Sequence, residues 1–154
     1  MFKDMTYADT IEKSLPPDLW RMITLLGEVG ASQGQPLYLV GGRVRDLLLG
    51  IEGGDLDLVV EGDAMALARS LAGKHGGEVV SHPRFGTAKY RRGDLTIDLA
   101  TARSEVYPRP GTLPLVRPGS IDGDLSRRDF TINSMAVCLS PPDMGSLLDP
   151  FDGR

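Results

Sequence analysis

The chain has 154 residues, 41% of them hydrophobic, and a formal net charge of −4. That is enough for one compact domain with a real core and too little to expect two. The negative balance excludes a basic coat that would hold nucleic acid over the whole surface by counterion release, so any such contact is local. A lone cysteine, Cys138, excludes an internal disulfide and a zinc cluster, and its apolar run, residues 135–139, makes it a buried small hydrophobe. The opening MFKDMTYADTIEK lacks a cationic segment followed by an apolar one, and no apolar run nears the ~20 residues that span a membrane, so a soluble cytoplasmic protein is expected.

Pro16 and Pro17 break the first segment, and Leu19, Met22, Ile23, Leu26 and Val29 then recur at helical spacing, predicting an amphipathic helix from Pro17 that Gly30 and Gly34 end. Trp20 fits this helix as a packing residue. Leu37–Val40 reads as a buried strand closed by Gly41 and Gly42, and residues 43–49 as a helix stopped by Gly50. A second strand is predicted over 55–60 and a long helix over Ala64–His75, followed by strands at 78–81, Thr87–Arg92 and Leu95–Thr101. Arg92-Gly93-Asp94 joins the last two as a hairpin, because glycine takes the positive φ of a tight turn. Residues 107–123 hold Pro108, Pro110, Pro114 and Pro118 and read as a loop, with a short helix at 121–127 and a strand at 135–139 to finish. Strands and helices in this order give an α/β (α+β) domain: a mixed, largely antiparallel sheet with helices packed on it.

Side chains alternate along a strand, so Asp55 and Asp57 share a face, with Cα atoms roughly 6–7 Å apart, while Leu56 and Leu58 enter the core. The pair suits a magnesium ion bridging to substrate phosphates. Alone, Asp-x-Asp is equally the polar face of an edge strand. Asp98 alternates with Ile97 and Leu99 in the same way, and a third carboxylate on a neighbouring strand would allow a site of two metals about 3.5–4 Å apart. That is the chemistry of phosphoryl or nucleotidyl transfer.

The Gly41-Gly42 turn allows close backbone approach to a phosphate at a helix start, where Arg45 could grip a triphosphate and Asp46 could balance Arg45 or cap the turn. It is neither a Walker loop nor a dinucleotide fingerprint. In DLSRRDFTINSMAV, Arg127 and Arg128 are either a solvated helix face or ligand contacts, with Asp129 and Asn133 directed inward. His75 and His82 are isolated and are left outside the site.

Four stretches together, LVGGRVRDLLLG (39–50), Asp55-Leu56-Asp57, DLATAR (98–103) and RRDFTINSMA (127–136), resemble the head domain of the class II tRNA nucleotidyltransferase and bacterial poly(A) polymerase family, within the polymerase-β nucleotidyltransferase superfamily. HPRFGT (82–87) is also similar to the family. The resemblance implies that Asp55, Asp57 and the less firmly matched Asp98 bind catalytic magnesium ions. It further implies that Gly42, Arg45 and Arg128 touch the incoming nucleotide, and that Gly41, Arg127, Asp129 and Asn133 support the site. Arg103 matches the arginine after the third carboxylate. The implied reaction is attack by an RNA 3′-hydroxyl on the α-phosphate of CTP or ATP with release of pyrophosphate, the metals and arginines stabilising charge.

Two departures from the family pattern stand out. Asn133-Ser134 replaces the usual Asn-Ala, and SIDGDL has fewer acids than the usual run, leaving Asp124 as the better match. The ending LLDPFDGR resembles the start of a segment leading into a helical neck, so the expectation is a single head domain over 1–154, truncated before the neck, body and tail that choose the base and hold tRNA. Addition of CCA, CC or A to tRNA is the leading expectation. Poly(A) addition to other RNAs shares the head motifs, a nucleotide-binding regulatory module without turnover would not need all three carboxylates, and a glycosyltransferase would leave the arginine motif unexplained.

Overall fold

The computed structural model describes residues 6–51, 56–106, 109–112, 115–128 and 134–152. Helices α1 (Ala8–Ser14) and α2 (Pro17–Ser32) precede β1 (Leu37–Val40), α3 (Gly42–Leu48), β2 (Asp57–Val60) and α4 (Ala64–His75). Strands β3 (Glu78–His82), β4 (Thr87–Arg92), β5 (Leu95–Thr101), β6 (Arg103–Val106) and β7 (Leu115–Pro118) follow, then α5 (Ile121–Ser126), β8 (Ala136–Cys138) and β9 (Leu147–Leu148). Seven strands form one sheet in the order β3-β4-β5-β2-β1-β8-β9, and β6 pairs with β7 in a separate ribbon. Every adjacent pair in the large sheet is antiparallel except β2 and β5. Among the described residues no helix is long and apolar enough to cross a membrane.

The two faces of this sheet do different work, and alternation decides which residue goes where. Leu37, Leu39, Leu58, Val60, Tyr90, Ile97, Leu99 and Val137 pack into one cluster with Met22, Ile23 and Leu26 of α2 and Leu67 and Leu71 of α4. At about 1.5–3 kcal/mol for each fully buried large aliphatic side chain, this face supplies most of the driving force. Tyr38, Val40, Val59, Ala136 and Cys138 face the other way, onto Ile121 and Leu125 of α5. α5 has only six residues, so among the described residues it covers only part of that face.

α2 starts at Pro17, as the sequence predicts, but runs through Gly30 to Ser32, with Gly34 (φ 69°) just beyond its end. α4 matches its predicted span; the Asp63 side chain accepts from the Ala66 amide at 3.1 Å and Gly76 closes it at φ 76°. The proline-rich stretch departs from the expected loop. Leu115–Pro118 is a strand paired antiparallel with Arg103–Val106, an edge arrangement in which proline forfeits few ladder bonds.

α2 approaches the Leu139–Ser140 backbone closely at Gly27. The buried Ser140 hydroxyl accepts from the Leu37 amide at 2.9 Å and donates to the Gly27 carbonyl at 2.7 Å, tying α2 to β1. A methyl group on Gly27 would run into the Leu139 backbone carbonyl. Gly27→Ala is therefore expected to lower stability by about 1–3 kcal/mol, read from urea unfolding. Burial raises the pKa of the Cys138 thiol, so the native fold disfavours its thiolate. At pH 8 a thiol reagent should leave Cys138 unmodified until urea unfolds the chain, and prompt native-state labelling would contradict this burial.

Candidate active site

The open face of the sheet is assembled around the end of β1. Gly41, the residue between β1 and α3, has φ 78° and ψ −148°, a region essentially restricted to glycine. A Cβ there would lie 3.5 Å from Asp57 Oδ2 and 3.7 Å from Arg128 Nη1, so an acidic and a basic side chain both arrive over this bare stretch of backbone. A Cβ on Gly42 would lie 3.3 Å from Arg45 Nη2, which puts the Arg45 guanidinium back over the same turn. Asp46 pairs with Arg45 at 3.2 Å, balancing its charge. Arg43 goes elsewhere: it is buried, and its Nη2 donates to the carbonyl and hydroxyl of Ser14, securing the end of α1.

Asp57 opens β2, exposed where the rest of the strand is buried. Parallel pairing of Leu58 with Leu99 sets Asp57 and Asp98 at equivalent positions on adjacent strands, which lie about 4.8 Å apart. Leu58 and Leu99 enter the same core cluster, so the two carboxylates share the opposite face. Across the β4–β5 hairpin Lys89 stands opposite Asp98, with Nζ 3.7 Å from Oδ1. Both groups are well exposed, and such a pair contributes little to stability.

The arginines come from the end of α5. Asp124, 1% exposed, accepts from Arg128 Nη2 at Oδ1 (3.0 Å) and from Arg127 Nη2 at Oδ2 (3.4 Å). Oδ2 also accepts from the Arg103 amide at 3.0 Å, joining α5 to the start of β6. At its other end α5 is held by Glu61, whose Oε2 accepts from the Ile121 amide at 2.7 Å. The Nε atoms of Arg127 and Arg128 are buried and have no hydrogen-bond partner among the described residues. Leaving such donors unpaired is costly, and an anion reaches each guanidinium only through its partly exposed remainder, the side chains being 22% (Arg127) and 20% (Arg128) exposed.

One cleft of about 460 Å³ is lined by Asp57, Asp98, Lys89, Arg103, Arg127 and Arg128, together with His82 and Phe85. Of the residues singled out from sequence, Gly41, Gly42, Arg45, Asp46, Asp57, Asp98, Arg103, Arg127 and Arg128 fall in this region. Asp55, Asp129 and Asn133 lie outside the described residues. His82, left outside the site on sequence, lines the cleft because it ends β3 beside β4; Lys89 and the clamp made by Asp124 were not anticipated. Lys89 had a signal, since a two-residue Gly93-Asp94 turn puts Lys89 opposite Asp98 by counting. Among the described residues no three His, Cys, Asp or Glu side chains gather as a metal cluster. The exposed oxygens of Asp57 and Asp98 nevertheless suit a hard divalent cation, and the arginine donors suit phosphate.

Residues 37–154 match the poly A polymerase head domain family. The chain belongs to this family. The head domain is 46% identical over 147 residues to the A-adding tRNA nucleotidyltransferase of Halalkalibacterium halodurans, covering 95% of this chain and 34% of that protein. It is 54% identical over 116 residues to the A-adding tRNA nucleotidyltransferase of Aquifex aeolicus, covering 75% of this chain and 14% of that one. Its fold matches that of an apo CCA-adding enzyme with a TM-score of 0.85 at 42% identity, over 97% of this chain and 35% of that one. Other similar solved structures are CCA-adding enzymes in complex with tRNA, CTP or ATP. The chain thus spans about a third or less of the curated relatives named here.

Gly41 holds a positive-φ conformation that a Cβ would strain even though the space around it is open enough for one. Gly41→Ala should lower stability by about 1–3 kcal/mol through backbone strain. Gly42→Ala, which meets only the mobile end of Arg45, should cost far less, and equal losses in urea unfolding would contradict the assignment.

Proposed function

We propose that this chain is the catalytic head of a tRNA nucleotidyltransferase, transferring a nucleotide from CTP or ATP to an RNA 3′-hydroxyl and releasing pyrophosphate. The observation that carries the reading is a single cleft lined by two carboxylates side by side on adjacent strands and by two arginines held in place by the buried Asp124. Carboxylate oxygens and phosphate-seeking arginines are the two donor sets that a metal–triphosphate substrate needs.

In this reading Asp57 and Asp98, with Asp55, hold magnesium. Bound there, magnesium would lower the pKa of the attacking hydroxyl and offset charge at the phosphates. Arg128 and Arg127 bind the triphosphate oxygens, and Arg45 adds charge from the α3 side. Gly41, with no side chain, lets the phosphates approach the backbone, and Asp129 and Asn133 complete the nucleotide contacts. Lys89 orients Asp98. The chain would act in the cytoplasm as a head domain, while neck, body and tail regions supply base choice and most of the grip on tRNA. That division is consistent with the net charge of −4, which leaves the cleft as a local patch of cations. The A-adding activity named for both relatives favours ATP as the nucleotide transferred.

The test is incorporation by the full-length protein on tRNAs ending before, within and after CCA, with CTP and ATP supplied separately. Addition of A alone, to tRNA ending in CC, is expected. Asp57→Asn should reduce incorporation by orders of magnitude with little change in the melting temperature, because the residue is exposed. Near-normal turnover by that variant would sink the metal assignment, and untemplated A tracts on unrelated RNAs would favour poly(A) addition instead.

A further inference from the structure

We propose that Asp124 is a positioning residue for the transfer reaction: it immobilises the Arg127 and Arg128 guanidinium groups so that their solvent-facing N–H donors await the triphosphate. The proposal rests on the nucleotidyl-transfer reading above and names how that site is held ready.

A carboxylate at 1% exposure is costly to bury and persists only when its charge and oxygens are satisfied. Asp124 meets this condition by three bonds. Its spacing to Arg127 and Arg128, three and four residues on, brings both cations to the same side of the α5 terminus, so one carboxylate reaches both. Its third bond goes to a backbone amide, that of Arg103, which follows β5 by two residues. The clamp is therefore referenced to the strand that carries Asp98. Glu61, four positions after Asp57, makes the matching connection at the far end of α5, accepting from the Ile121 amide. Through these two contacts α5 becomes a short strut spanning the two carboxylate-bearing strands.

Each arginine spends one Nη2 on Asp124 and leaves Nε buried without a partner, while Arg128 Nη1 comes within reach of the Gly41 turn. A guanidinium on four rotatable bonds would otherwise lose its freedom only when substrate bound. Prior immobilisation moves that cost into folding and leaves more of the contact energy for the triphosphate. Asp124 acts through the arginines and touches no substrate.

Asp124→Asn in the full-length protein keeps one oxygen for the Arg103 amide and turns an amide NH2 toward Arg128. Expected are a rise of about tenfold or more in KM for the nucleoside triphosphate, the scale of a lost charge-assisted hydrogen bond, and a much smaller change in kcat. Arg128→Ala combined with Asp124→Asn should be no worse in KM than Arg128→Ala alone, because both act through one group. NMR relaxation of the Arg128 Nε–H should show picosecond-to-nanosecond order in the wild type that Asp124→Asn loses. Circular-dichroism melts check that the variant is folded; should it not be, Asp124→Ser goes through the same three measurements. A folded variant with unchanged KM and an equally ordered Arg128, or KM penalties that add in the double variant, overturns the proposal. Absence of transfer by the wild type overturns the nucleotidyl-transfer reading itself, and this proposal with it.

Discussion

The site depends on one parallel strand pair in an otherwise antiparallel sheet. Because β2 and β5 run the same way with Leu58 beside Leu99, their preceding aspartates meet at one level on one face. Parallel neighbours need a crossover connection, and here it is α4, whose Leu67 and Leu71 pack into the core against the sheet, followed by β3 and β4, which extend the sheet beyond β5. Register is enforced by the core, since a slip of one residue in β2 would send Asp57 into the apolar layer and Leu58 to the open face. Two like charges roughly 5 Å apart repel by only about 0.8 kcal/mol in bulk water. Core burial outweighs that easily, so the fold can impose a juxtaposition that the carboxylates alone would avoid.

The charge arrangement follows the same logic of separate supports. The carboxylates stand on strands that the apolar face fixes, whereas the cations come from β4, from the start of β6 and from the end of α5. An acidic protein thus keeps a concentrated set of positive groups in one place, where desolvation by the cleft walls strengthens them and the surrounding surface offers little competition for phosphate. Phe85, 63% exposed beneath the Arg84 guanidinium, adds an apolar edge to a cleft that is otherwise charged.

Much of this was legible in the residues because the cues were local. The glycine pair, the alternating Asp-Leu-Asp and Ile-Asp-Leu patterns and the apolar spacing of α2 and α4 depend only on backbone periodicity. What escaped did so because it depends on partners distant in sequence. Arg43 and Arg45 are two residues apart and look alike on paper, yet Ser14, 29 residues upstream, makes the first a core anchor. The β6–β7 ribbon hid behind four prolines, since a proline at a sheet edge costs few ladder bonds and composition alone suggests a loop. The Asp124 clamp hid behind a short acidic run that also reads as ordinary helix N-terminal chemistry, which its neighbours Ser120 and Asp122 do supply.

Gly41 and Asp124 answer a problem that the site's own charges create. Asp57 and Arg128 converge over Gly41, and an acid and a base that meet over bare backbone tend to close on each other as an ion pair. Such a pair would mask both groups, one from metal and the other from phosphate. With Arg128 already engaged at 3.0 Å by Asp124, and Asp124 anchored by a backbone amide that cannot swing away, the arginine gains less by turning to Asp57. The buried carboxylate thus holds Arg128 back from the exposed Asp57, and the Gly41 backbone between those two side chains stays bare.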